Sequence, residues 1–217
     1  RIGREAGGTD VRRALRGAAA VLVSDYGLGL TRQNAVREAL AEAAEHVPVV
    51  WDPHPRGAPP VSGARLVTPN ESEARVGAEQ GSGARRARRL TDLWRVRAVT
   101  ITLGGKGATW YDSEGESGDS RVASAIESGD TCGAGDAFAS ACTVALARGT
   151  ATAGAVEEAV ARLTDSLGLS FVQAERSAHP LAESRTRWQV QEATQVAMSG
   201  KGEEVQAPAL ALQLLAT

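Results

Sequence analysis

An α/β fold on a mostly parallel sheet is what this sequence predicts, and three observations predict it. Short apolar runs alternate with amphipathic helical stretches, and each apolar run ends in a polar loop. The 217-residue chain, 42% hydrophobic, is also large enough to bury one sizeable core. Charge is balanced, with 24 Lys+Arg against 26 Asp+Glu, which removes the cationic footprint of a general nucleic-acid binder. No apolar run reaches the roughly 18 residues that would span a bilayer. The two cysteines, Cys132 and Cys142, form neither a disulfide framework nor a paired zinc site. They read as small buried hydrophobes in a reducing, cytoplasmic compartment. Aromatic residues make up only 4% of the chain, so packing must rest on small and branched aliphatic side chains.

The run Ala18 to Val23 predicts a first strand, broken by the Gly-punctuated loop Ser24-Asp25-Tyr26-Gly27-Leu28-Gly29. A helix should follow with Thr31 as its N-cap. Val36, Leu40, Ala43 and Val47 recur on one face, and Arg37, Glu38, Glu42 and Glu45 on the other. Val47 to Trp51 is a second strand, ended by Asp52-Pro53-His54-Pro55, whose prolines cannot continue a ladder. Arg65 to Thr68 is a third strand, stopped by Pro69, and Asn70-Glu71-Ser72-Glu73 opens a helix whose acids suit its positive end.

Ser82 to Arg97 predicts a basic helix with Leu90, Leu93, Trp94 and Val96 facing inward and Arg85, Arg86, Arg88 and Arg89 on a solvated face. Ala98 to Leu103 is a buried strand that should pair as a hairpin with Ala108 to Tyr111 across Gly104-Gly105-Lys106-Gly107. Asp112 to Ser120 reads as an exposed loop. A small-residue helix is expected from Ala137 to Ala147 and another from about Ala153 to Leu167. Residues 1–175 read as one domain and 176–217 as a tail with no assigned chemistry. The chain starts at Arg1 without a Met or a recognisable leader, so a fragment of a longer protein is expected.

Ligands of such sheets bind outside the carboxyl ends of the strands. The strongest constellation there is Gly133-Ala134-Gly135-Asp136 at a helix start. Small residues let backbone N–H groups approach an anion that the helix dipole also favours, and a carboxylate in the first turn can accept a proton from an attacking hydroxyl. Alone, a Gly-x-Gly-Asp string is also an ordinary turn with a cap.

Its company is more specific. Asp130-Thr131-Cys132-Gly133-Ala134-Gly135-Asp136 resembles the second signature of the PfkB, or ribokinase-like, carbohydrate kinases. Thr68-Pro69-Asn70-Glu71-Ser72-Glu73 is similar to that family's Asn-x-x-Glu block, and Thr102-Leu103-Gly104-Gly105-Lys106-Gly107 to its nucleotide loop. Ser24-Asp25-Tyr26-Gly27 and Asp52-Pro53 further resemble the branch that phosphorylates heptose phosphates, the kinase half of a bifunctional ADP-heptose synthesis enzyme. That branch commonly has a Lys after each motif; here Leu28 and His54 stand nearest, and Arg56 is a candidate substitute.

The resemblance runs from about Ala18 to Gln173. It implies a three-layer ribokinase-like fold, ATP and Mg²⁺ as cofactors, a small sugar or sugar phosphate as partner, and no nucleic acid or membrane. The family's N-terminal Gly-Gly motif and β-lid have no counterpart before Ala18. By resemblance, Asp136 is the catalytic base, and Gly133, Ala134 and Gly135 cradle the transferring phosphoryl group. Thr102, Gly104, Gly107 and Asn70 face the nucleotide, Glu73 and Asn70 organise the metal through water, and Asp25 and Asp52 face the sugar. The competing expectation is a nucleotide-binding paralogue or fragment that lacks the sugar site. A dinucleotide-binding oxidoreductase is disfavoured, since no Gly-x-Gly-x-x-Gly joins an early strand to a helix. Oligomeric state is not legible.

Overall fold

The computed structural model describes residues 8–78, 81, 83–121, 133–176 and 211–213. Helix α1 (Gly8–Leu15) leads into β1 (Ala20–Ser24), a 3₁₀ turn (Leu30–Arg32) and α2 (Asn34–Ala44). Then come β2 (Val49–Asp52), β3 (Leu66–Val67), α3 (Glu71–Gly77), α4 (Ala84–Trp94) and β4 (Ala98–Thr102). A second 3₁₀ turn (Gly104–Lys106) joins β4 to β5 (Gly107–Asp112), followed by β6 (Ser117–Arg121), α5 (Ala134–Ala147), α6 (Thr152–Arg176) and β7 (Ala211–Gln213).

The strands lie in the order β6-β5-β4-β3-β2-β1-β7, parallel from β4 to β7, with β5 and β6 antiparallel at one edge. Alternation along each strand sorts side chains into two cores. Val21, Val23, Val49, Trp51, Val67, Val99 and Ile101 join residues of α1 to α4 on one face. Leu22, Val50, Leu66, Ala98 and Trp110 meet α5 and α6 on the other. The result is the expected three-layer fold. Of the two cysteines, Cys142 is a buried free thiol in the second core, while Cys132 lies outside the described residues.

Three expectations need correction. Thr31 does not cap α2, whose N-cap is Gln33; the chain first makes a 3₁₀ turn, and the Thr31 hydroxyl donates to Asp25 Oδ2 at 2.6 Å. The segment read as an exposed loop contains β6. Its two faces are polar, but Ser117 to Arg121 pairs residue by residue with β5, so an edge ladder forms without hydrophobic patterning. The arginines of α4 are not all solvated. Arg86 is buried and donates through Nε to the Ala78 carbonyl at 3.0 Å, closing the end of α3. Arg88 lies over the Tyr111 ring, 6.0 Å from its centroid.

Candidate active site

The parallel strands end together on one side, and the polar blocks of the sequence gather there. Ser24 and Asp52 are register partners at the ends of β1 and β2. Beyond β3, Thr68 N–H donates to Trp51 O, and at the end of β4, Thr102 N–H donates to Pro69 O, making a bridge between Asn70 and Thr102. Two blocks separated by some thirty residues, Asn70 to Glu73 and Thr102 to Gly107, thus share one rim.

Each block has a local reason for its shape. Asn70 Oδ1 accepts from the N–H groups of Ser72 and Glu73, and Glu73 Oε2 accepts from Asn70 N–H at 2.9 Å, a complete capping box at the start of α3. Gly107 adopts φ 104, and a Cβ there would sit 2.0 Å from Ser120 O. The hairpin itself therefore demands glycine at that position. Gly104, with φ 60, has nothing within 4 Å of a Cβ position and faces solvent, as does Lys106.

Gly133 starts α5 in the left-handed conformation (φ 83), and no side chain caps the helix. Its first-turn amides lie at the positive end of a 14-residue helix, and among the described residues no side chain caps them. Asp136 lies in that first turn, half-buried, and its Oδ2 accepts a hydrogen bond from Tyr26 Oη at 2.9 Å. Under the same turn, Asp52 Oδ2 is 4.0 Å from the Cβ position of Gly135, and Asp52 Oδ1 accepts from the Thr68 hydroxyl at 3.0 Å. Enclosure of the carboxyl first, then the negative charge of Asp136, push Asp52 up to about 8, with a further contribution from Glu73 and an opposing one from the Thr68 bond. Asp52, Asp136 and Glu73 therefore share one electrostatic neighbourhood.

Asp25 is differently employed. It is buried; its Oδ1 accepts from Gly27 N–H, and its Oδ2 from the Thr31 hydroxyl and Ala58 N–H. His54 Nδ1 accepts from Arg56 N–H, while Arg32 donates to the carbonyls of Arg56 and Gly57. Asp130, Thr131 and Cys132 lie outside the described residues. Sequence spacing gives Tyr26 and Thr68 no role of their own and Thr31 only that of a helix cap, whereas all three bond to acids at the strand ends. No sequence spacing links Tyr26 to Asp136, which are 110 residues apart.

A three-layer α/β fold that brings a helix start and its first-turn carboxylate to the strand ends has the arrangement in which such sheets bind anionic ligands. The pfkB family carbohydrate kinase description matches residues 19–163, and the chain belongs to that family. It is similar to the bifunctional protein HldE of Streptomyces coelicolor, 47% identical over 163 residues, covering 71% of this chain and 34% of that one. The chain thus spans about a third of the length of that curated relative. Among solved structures, ribokinase from Thermotoga maritima matches with a TM-score of 0.57 at 22% identity, over 85% of this chain and 59% of that one. Arabidopsis thaliana ribokinase complexed with ribose and ATP matches with a TM-score of 0.54 at 22% identity, over 72% and 51%. These two likenesses establish the fold. Among the described residues, no helix is long and apolar enough to cross a membrane.

Proposed function

We propose that this chain carries the phosphoryl-transfer site of an ATP-dependent kinase acting on a hydroxyl of a sugar phosphate, with a heptose phosphate as the first substrate to test. The observation that carries the reading is the start of α5: first-turn amides that no described side chain caps, and a half-exposed carboxylate, Asp136, on the same turn. Asp136 takes the proton of the acceptor hydroxyl; the oxygen forms its bond to the γ-phosphorus as the bond to ADP breaks. The N–H groups that follow Gly133 face the charge spread over the non-bridging oxygens. Thr102 and the Gly104 turn line the nucleotide side, next to Asn70.

Mg²⁺ fits this site through water. Among the described residues no three acidic, His or Cys groups are close enough to chelate an ion directly, yet Asp136 and Glu73 place negative charge around Asp52 that such an ion would balance. Glu73 commits only Oε2 to the capping box, which leaves Oε1 to hold a metal-bound water. The ion, when bound, neutralises charge on the phosphates. The heptose assignment is supported by the HldE relative and by the Ser-Asp-Tyr and Asp-Pro blocks. The same reading expects a cytoplasmic location, where ATP and sugar phosphates are found.

The test is sugar-dependent ADP release by the full-length gene product, with a heptose phosphate, fructose 6-phosphate and ribose as acceptors, alongside calorimetric titration with ATP–Mg²⁺. Turnover with the heptose phosphate above the others is expected. Binding of ATP–Mg²⁺ without ADP release on any acceptor would support the nucleotide-binding paralogue instead.

A further inference from the structure

The loop after β1 reaches across the sheet ends to the start of α5 through one side chain. Tyr26 Oη donates to Asp136 Oδ2 at 2.9 Å, and among the described residues no other hydrogen bond to the Asp136 carboxylate is found. A carboxylate turns about a broad, nearly two-fold torsion, so one fixed donor on Oδ2 selects a plane and leaves Oδ1 open. We propose that Tyr26 is a positioning residue for the base, holding the Asp136 carboxylate so that Oδ1 meets the acceptor hydroxyl. The inference rests on Asp136 being the base and deepens that reading.

The donor itself is well anchored. Asp25 Oδ1 accepts from Gly27 N–H at 2.8 Å, and Asp25 Oδ2 ties Thr31 and Ala58 to the same loop. Gly27, at φ 70, lets the chain pass close to His54, whose Nδ1 would lie 2.5 Å from a Cβ. Tyr26 is therefore presented from a braced turn, the support a preorganised site requires. Burial first, and the charge of Asp136 second, raise the phenol well above its ordinary range, so it keeps its proton and remains a donor. Asp52 is the other acid that faces the phenol. Because the phenol stays protonated, it cannot replace Asp136 as the proton acceptor.

The experiment compares Tyr26→Phe, Asp136→Asn and the double variant in the full-length gene product. Tyr26→Phe keeps the ring and removes only the donor; kcat should fall about tenfold, in line with loss of one hydrogen bond to a charged group, while KM for ATP stays within about twofold. The double variant should be no slower than Asp136→Asn alone, because the bond acts only through that carboxylate. An independent readout comes from the tyrosine Raman doublet, with the Tyr26 contribution isolated as the difference between the parent and Tyr26→Phe spectra. Asp136→Asn should weaken the Tyr26 donor signature and leave that of Tyr111 unchanged. Wild-type kcat in Tyr26→Phe, or additive losses in the double variant, would overturn the positioning role while Asp136→Asn remains slow. Wild-type turnover in Asp136→Asn would instead overturn the base assignment, and this inference with it.

Discussion

The loops after β1 and β2 both open on an aspartate at a strand end, yet the two carboxylates live in opposite circumstances. Asp25 is surrounded by donors: two backbone N–H groups and the Thr31 hydroxyl converge on it, and it clamps the first loop to the second at Ala58. Asp52 has one side-chain donor, Thr68, and faces the acids Asp136 and Glu73. The first aspartate is stabilised by what surrounds it and serves as a brace. The second is held against an electrostatic cost, as expected where a ligand or cation is to supply the missing positive charge.

The largest way to sharpen that contrast removes the acid that faces Asp52. Asp136→Asn should lower kcat by about 10² to 10⁴, read as sugar-dependent ADP release, with the fold retained. Next comes the brace. Asp25→Ala would leave the buried Thr31 hydroxyl and the half-buried Gly27 N–H without their acceptor and take one of two acceptors from the buried Ala58 N–H, and should cost about 3 kcal/mol in denaturant unfolding, with any activity loss tracking stability. A similar failure from outside is Gly57→Ala: a Cβ there would lie 2.1 Å from Asp25 Oδ2, so the clamp must shift, at a cost of about 2 kcal/mol by the same measurement.

The smallest effect has the opposite sign. Asp52 is raised from 3.8 to about 8, so the folded chain holds a proton that the unfolded chain has already released between those values. Its contribution to stability is full below pH about 4 and is lost as pH climbs through about 8. Asp52→Asn keeps an acceptor for Thr68 and removes the titration. It should raise Tm by about 3 °C at pH 8.5 and by less at pH 5.5, checked by thermal melts at both pH values. An equal response of Asp25→Asn and Asp52→Asn across that range would erase the contrast.

Much of the fold was legible because its signals are local. The apolar runs at Val21 to Val23, Val49 to Trp51 and Val99 to Ile101 became central strands, and Val36 and Leu40 became the buried face of α2. The pairing of β4 with β5 followed from adjacency in sequence. Edge strand β6 was missed because its pattern is polar on both faces; only the neighbouring strand's open ladder recruits it. Arg86 was misplaced for a related reason: a helical wheel shows which face is polar, not that the Ala78 carbonyl waits beside it.

By itself, the sequence determined the local shapes of the candidate site: a glycine-flanked carboxylate at a helix start, an Asn-x-x-Glu cap and a Gly-rich turn, each set by backbone freedom and hydrogen bonding over a few residues. Tertiary structure alone decided their partnerships. That Tyr26 holds Asp136, that Asp52 faces acids while Asp25 is satisfied, and that Asn70 lies beside Thr102 all depend on where strands far apart in the chain end together. Charge and hydrogen bonding act through space over a few ångströms, and sequence separation does not record that distance.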